Sequence, residues 1–444
     1  MFSNHSRASS ARAVRLSVFV VLLSLAFSTR AHAEKVIAKG DDWQVYTDGR
    51  VAGFWSWVYG QGYPQDTVDP NTGDIVHNPI GGGWRAATDQ NAGSNKQPDA
   101  GTINSMRIRT GFIGNQLGVG VRQQLSPWTS VTGYIQIWAW IESTGRIKNQ
   151  LNYADVRQGY AKLEGPWGSL LAGRTRALFS RGATDIDSLY AHRWGLGFPG
   201  NIDSNGPTLG QIGFGVLGSG FAAGLIYASP VLKGFQLSVG AFDPIQLQGN
   251  GAYNRTKYVR PEAEVTFEAK FGERGKLVLF ANGAYQKIYR DGYCDASAGM
   301  PCDQAAGGVG FGGRFEIGPY HLGVAGHRGK GLGFNYALEP SDAAVDLSGI
   351  LRVVDGYYLQ NQVVLGKFDL FAGWGIVRAF LTDYDNHHPE HSVIKDQIGY
   401  NAGVVYNYTP NVHFDLDFFR AQADWFLGEK QVLYVSNVGL TFNW

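Results

Sequence analysis

Asn437-Val438-Gly439-Leu440-Thr441-Phe442-Asn443-Trp444 closes the chain, and its parity decides how the rest is read. Val438, Leu440, Phe442 and Trp444 fall on one side of a period of two, with Asn437, Thr441 and Asn443 on the other. A strand has that side-chain period, so the segment carries one apolar and one polar face. A terminal tryptophan on the apolar face suits a strand whose outer side meets lipid, where aromatic rings sit at headgroup level.

The pattern through Gly439, Phe442 and Trp444 also resembles the C-terminal assembly signal of bacterial outer-membrane barrels. The opposite end is consistent with export. Arg7, Arg12 and Arg15 form a basic region, Leu16 to Ser28 an apolar one, and Ala31-His32-Ala33 a small-x-small cleavage site. Residues 1–33 are expected to be a cleaved signal peptide and 34–444 a single barrel domain. Removing Arg7, Arg12, Arg15 and Arg30 from the 38 basic residues leaves 34 against 37 acids, a net charge of −3 that suggests no nucleic-acid partner.

Beyond the signal no apolar run reaches about 18 residues, which excludes membrane helices. Alternation nevertheless continues. Ala263, Val265, Phe267, Ala269 and Phe271 interleave with Glu262, Glu264, Thr266, Glu268 and Lys270. Val412, Phe414, Leu416 and Phe418 interleave with His413, Asp415 and Asp417. Carboxylates in a dry sandwich core would be costly, whereas a closed barrel places them toward water and satisfies every backbone group internally. Short turn signals at Ser126-Pro127-Trp128, Gly165-Pro166-Trp167, Gly272 to Gly275, Gly318-Pro319, Gly366-Lys367 and Thr409-Pro410-Asn411 alternate with longer polar segments. The expected architecture is all-β: an antiparallel transmembrane barrel of about sixteen strands, with short periplasmic turns, long external loops and an inward-folded third loop. That width encloses an aqueous channel. Strands are expected near 104–125, with a bulge around Phe112–Ile113, and near 211–229, among others.

A channel of this width needs a constriction, and the long mixed-charge segment Ala177 to Gly210 is the candidate. Here the chain resembles the general Gram-negative trimeric porin family over essentially its whole mature length. The resemblance rests on Thr47-Asp48-Gly49-Arg50-Val51-Ala52-Gly53, on Arg109-Thr110-Gly111-Phe112-Ile113-Gly114, and on Arg157-Gln158-Gly159-Tyr160-Ala161-Lys162-Leu163 followed by Gly173-Arg174. It implies a cationic wall of Arg50, Arg109 and Arg157, opposed by third-loop acids supplied here by Asp185 and Asp187. The family's Pro-Glu-Phe-Gly-Gly turn is absent, with Phe198-Pro199-Gly200-Asn201 the nearest substitute. The resemblance further implies a passive channel for small hydrophilic solutes, a homotrimer with Thr144 to Ala154 reaching over a neighbour, and contact with outer-membrane lipid and lipopolysaccharide.

Other features are weaker. Gly308 to Gly313 and Gly213 to Gly218 match a dinucleotide-loop spacing, but no helical pattern follows either, and no cofactor is expected. Asp383, Asp385, His387, His388, Glu390 and His391 crowd one loop that could hold a divalent cation or be merely solvated; no metal site is assigned. Cys294 and Cys302 fit a loop disulfide in an oxidising compartment. Tyr134 and Trp138 share the polar parity of Gln136 and could stack sugars or pack in the lumen. A barrel hydrolase would need an ordered nucleophile and histidine, and no Gly-x-Ser-x-Gly motif occurs. A channel specific for a sugar or anion would differ only at the throat.

Overall fold

Alternation commits each strand to two different solvents, and pairing closes the sheet so that no edge is left in lipid. In the computed structural model the described residues are 34–61, 67–68, 75–76, 102–110, 113–139, 154–188, 211–245, 255–291, 293–295, 301–338, 344–346, 348–389 and 393–444. The signal segment 1–33 and the second-loop segment 144–153 lie outside them.

In chain order the strands are Lys35–Lys39 (β1), Trp43–Gln61 (β2), Thr67–Val68 (β3), Ile75–Val76 (β4), Thr102–Arg109 (β5), Asn115–Ser126 (β6) and Thr129–Ala139 (β7). Ala154–Gly165 (β8), Gly168–Arg176 (β9), Phe221–Ala228 (β10), Phe235–Phe242 (β11), Arg255–Thr256 (β12), Arg260–Phe271 (β13) and Gly275–Tyr289 (β14) follow. Asp303–Ile317 (β15), Tyr320–Lys330 (β16), Val353–Leu365 (β17), Phe368–Ala379 (β18), Ile394–Asn407 (β19), Val412–Trp425 (β20) and Lys430–Asn443 (β21) complete them. Among the described residues two short helices, Arg181–Ile186 (α1) and Asp383–His387 (α2), interrupt the loops.

The main sheet has 19 strands; β5 with β6 and β12 with β13 each make one stave, and β1 is an added hairpin arm, so the barrel is a closed ring of 16 antiparallel strands. Closure runs from Arg50↔Asn443 to Gly60↔Leu433 between β2 and β21. Beyond that seam Trp444 exchanges backbone hydrogen bonds with Gly49, at 2.9 and 3.0 Å. Val438, Leu440 and Phe442 are exposed on the outside, while Thr441 and Asn437 are buried toward the lumen. Gly439 lies on the lumen parity beneath the ring of Phe54, where a methyl group would overlap that ring.

The second stave runs as two strands, β5 and β6, on either side of the expected bulge, of which Phe112 lies outside the described residues. Pairing along β2 passes from Arg50↔Gln116 to Phe54↔Arg109, and the Ala52 N–H is taken by Asn115 Oδ1 at 2.7 Å. One expectation needs correction. The segment 211–220, expected to begin a strand, instead belongs to the third loop, and β10 starts only at Phe221. Its apolar alternation is satisfied inside the barrel: Ile212, Phe214, Val216 and Leu217 are all buried against the inner wall. Period two in the sequence does not show whether the apolar residues meet lipid or the inside of the barrel, and here the whole stretch 211–219 is buried.

More than one loop folds inward. A core of buried apolar residues joins Phe214 and Leu217 to Leu332, Phe334, Leu338, Val345 and Leu351 of the segment after β16, and to wall residues such as Phe419, Trp425 and Leu433. The extracellular half of the lumen is thus packed with loop, while the turn-side half keeps polar walls.

Candidate pore constriction

The third loop leaves β9 at Arg176 and is first fastened to β13, three staves along the wall, by carboxylates. Glu262 Oε2 accepts the Leu178 and Phe179 N–H groups, each at 2.8 Å, and its other oxygen accepts Arg260 Nε at 2.7 Å. Glu264 accepts Arg181 Nε at 2.9 Å and the Gly182 N–H at 3.0 Å. Peptide donors on a carboxylate make strong charge-assisted bonds, so these two buried acids act as cleats for the loop. α1 follows immediately, and its Ala183 carbonyl accepts the Tyr358 hydroxyl at 3.2 Å.

The next fastening uses Asp187. Its Oδ1 accepts Gln360 Nε2 at 2.7 Å, its Oδ2 accepts the Gln211 N–H at 2.8 Å, and the Ser188 N–H donates to Gln360 Oε1 at 2.7 Å. This one carboxylate ties both limbs of the loop to β17. The returning limb presses Phe214 against Phe419, with centroids 4.7 Å apart, and the Gly213 carbonyl accepts Gln397 Nε2 at 2.6 Å. Close approach is possible because the wall beneath is glycine. A methyl at Gly375 would overlap the Phe214 carbonyl, and one at Gly399 would meet its ring.

Against this frame the residues expected at the throat take different positions. Arg50 is on the lumen parity of β2 and 2% exposed. Arg157 sits where the β7–β8 register shifts, paired to Asp155 at 2.8 Å with its guanidinium 5.1 Å from the Trp138 ring. Trp138 shares an apolar cluster with Ala183 and Ile186 of α1, which sets Arg157 beside the third loop. Arg109 ends β5 opposite Phe54, and its side chain lies outside the described set. Asp185 pairs with Arg176 at 2.7 Å and stays partly exposed. Asp187 is 4% exposed and tethered as above. The structure therefore sets Asp185, paired to Arg176, and Asp187, tied across the lumen to Gln360 of β17, at the C-terminal end of α1, with Arg157 beside Trp138 on the β7–β8 wall.

Sequence reading passed over Glu262, Glu264, Gln360 and Phe214 as anchors. The glutamates were visible only as polar members of an alternating strand, and nothing local marks which loop they hold. Tyr134 donates to Asp48 at 2.9 Å and packs between Tyr46 and Tyr160, and Trp138 donates to Gln136 at 2.8 Å; all lie on the lumen side. Cys294 and Cys302 form a disulfide, with S–S 2.01 Å, across the loop after β14.

The loop after β18 is clasped rather than open. Arg352 donates bidentately to Asp385, Nε to Oδ2 at 2.8 Å and Nη2 to Oδ1 at 2.7 Å, and its Nη1 reaches the Val345 carbonyl at 2.8 Å. Burial would raise the Asp385 carboxyl, but the hydrogen bonds from Arg352 and Thr382 outweigh it and hold the group below the ordinary carboxylate range. Glu390 and His391 lie outside the described residues. Among the described residues no three His, Cys, Asp or Glu side chains gather as a metal site.

With this geometry in hand, comparison with known proteins is specific about the family. A family model described as Gram-negative porin matches residues 20–424. No curated protein sequence matches significantly. Among solved structures, the outer membrane channel DcaP of Acinetobacter baumannii superposes with a TM-score of 0.63 at 14% identity, covering 92% of this chain and 100% of that one. The anion-selective porin from Comamonas acidovorans gives 0.52 at 13%, covering 91% and 100%. The trimer form of OmpT from Vibrio cholerae gives 0.50 at 12%, covering 91% and 100%. At such identities these likenesses establish the fold alone.

Proposed function

Starting from a chain that belongs to the Gram-negative porin family and is an outer-membrane β-barrel channel, we propose that it is a passive, water-filled route for small hydrophilic solutes and ions. The observation that carries this reading is the third loop, cleated to Glu262 and Glu264 and tied by Asp187 to the opposite wall, so that it lies across the lumen of a closed barrel. Porins are channels rather than enzymes, so no catalytic step enters.

Arg50, Arg109 and Arg157 supply the cationic side of the throat. Asp185 supplies the acidic side through its exposed flank, and Asp187 serves as a tether. Fixed charges across a narrow, low-dielectric passage order water and favour polar solutes over apolar ones. Residues 1–33 are removed on export, and Gly439, Phe442 and Trp444 form the assembly signal. The disulfide between Cys294 and Cys302 stiffens its external loop.

The channel works as a homotrimer. The outer wall of β7 to β9 supports this: Gly133, Ala161 and Ala172 are exposed there and leave a shallow surface against which another barrel can lie. The Vibrio cholerae relative is known in a trimer form. Light scattering after gentle detergent extraction should give three chains per particle; a monomer would refute this assembly.

Liposome swelling with sugars of increasing size, together with single-channel reversal potentials in a salt gradient, tests the channel. Swelling that falls smoothly with solute size is expected. Arg109→Ala with Arg157→Ala should raise conductance and shift preference toward cations, and Asp185→Asn should shift it toward anions. Saturable passage of one sugar or anion would instead favour a substrate-specific channel.

A further inference from the structure

The outer wall carries a transverse row of charge at the extracellular ends of β16 to β19. In register Arg328 faces Asp355, Asp355 faces Arg378, and Arg378 faces Asp396. Asp355 shares the parity of Tyr357 and Leu359, both exposed on the outside, so the row points away from the lumen. Its acids are recessed: the Asp355 side chain is 6% exposed and that of Asp396 14%, against 61% for Arg328 and 44% for Arg378. The wall therefore presents cations outward with carboxylates behind them.

These contacts fix the guanidinium groups without spending their donors on the acids. Arg328 Nη1 is 3.6 Å from Asp355 Oδ2, and Arg378 Nε is 3.9 Å from Asp355 Oδ1 and 4.0 Å from Asp396 Oδ1. Such separations are ion pairs too long to be hydrogen bonds. Both guanidinium groups converge on one carboxylate, so they stand next to each other. Arg328 also lies 5.4 Å above the ring of Phe380.

The height of the row identifies what it meets. About ten residues separate Asp355 from Leu365 at the turn end of β17, about 34 Å along the strand and about 26 Å along the barrel axis at a tilt of about 40°. The apolar band of such barrels is roughly 25 Å tall. Trp374 and Tyr400, paired in register and exposed, form an aromatic layer on the membrane side of the row. The charges thus lie at the headgroups of the outer leaflet, where cations on the lipid face cost little.

We propose that Arg328 and Arg378, positioned by Asp355, bind the phosphate of an outer-leaflet glycolipid headgroup. Guanidinium donors match phosphate oxygens in paired, planar fashion, which a single ammonium does not. A second copy of the chain is a poor occupant, because the acids of this row are covered by their own cations. The inference rests on the outer-membrane reading above and gives it a lipid site.

Binding of lipid A to the detergent-purified protein, followed by native mass spectrometry, tests the site. The probes are lipid A with its phosphates and the same lipid after dephosphorylation. Wild type should bind the phosphorylated form roughly 10–30-fold more tightly, on the scale of two interfacial cations. Arg328→Ala with Arg378→Ala should abolish that preference, and the paired Arg→Lys variant should retain part of it. Equal binding of the two lipids by wild type, or an unchanged preference in the alanine pair, overturns the proposal. Should the alanine pair fail to form a heat-modifiable barrel, the wild-type comparison and the lysine pair decide. Conductance should be unchanged in the variants because the row is outside the lumen; a wild-type protein that does not conduct would defeat the channel reading instead.

Discussion

Along the inner face of β20 the chain changes character halfway up. His413, Asp415 and Asp417 line the turn-side half, whereas Phe419, Ala421, Ala423 and Trp425 line the extracellular half. The neighbouring strand β21 repeats the change in reverse, with Leu433 and Val435 above Asn437 and Thr441. Both halves obey the same period of two and face the same lumen. They differ in what packs on them: polar side chains below, where Asn437 Nδ2 donates to Asp417 Oδ1 at 2.7 Å, and folded loops above. A lumen-facing apolar residue in a wide barrel is therefore a sign of a loop packed against it.

The sharpest test of that contrast is Trp425→Ala. Trp425 is 2% exposed within the loop-filled core, and truncating such a side chain should lower unfolding stability by about 3–5 kcal/mol. Denaturant unfolding followed by gel mobility checks this. A loss below about 1 kcal/mol would mean that the upper lumen is wet rather than packed.

Next comes the choice of face. Leu416→Arg, on the outer parity, should cost roughly 2–4 kcal/mol if it lies near the bilayer midplane. Asp415→Asn, one residue away and on the lumen side, keeps an acceptor for Thr441 and should cost markedly less. Equal damage from both would break the parity on which the comparison stands.

The cleats of the third loop give a smaller effect with a functional readout. Glu264→Gln weakens its bonds to Arg181 and Gly182 and should cost about 1–3 kcal/mol. Freed from this anchor, the loop should give noisier and larger single-channel currents. Unaltered currents would place the constriction elsewhere.

Acid should loosen the clasp of the upper half. Asp385 titrates below its ordinary range, near 3.8, because Arg352 and Thr382 stabilise its charged form. Its contribution is complete above that range and fades as the pH falls below about 4 and through the lowered folded value. Protease sensitivity of the loops after β16 and β18 should rise in that window while the barrel stays intact. An Asp385→Asn variant, sensitive already at neutral pH, should lose the dependence.

Much of the site was only partly legible in the sequence. The inner parity of Glu262 and Glu264 could be read from alternation, but their partners lie more than 80 residues away, at Leu178 to Gly182. Ile212 to Leu217 read as strand because apolar residues alternate with glycine there, yet in the loop the whole stretch is buried. Asp187 read as a throat acid because its residue type was right, and only Gln360 and Gln211 reveal it as a tether. The outer row of charge was equally hidden, since Asp355 and Arg378 join only when β17 and β18 pair.

By itself the sequence determined the approximate number of staves and the two faces of the wall strands, because period two and turn chemistry are local properties of the backbone, and its motifs pointed to the family. Tertiary structure alone decided what stands against each face: the loops that fill the upper lumen, the carboxylates that hold them, and the cations that meet the headgroups. Those pairings join residues far apart in the chain, and no local pattern encodes a partner that only barrel closure brings near.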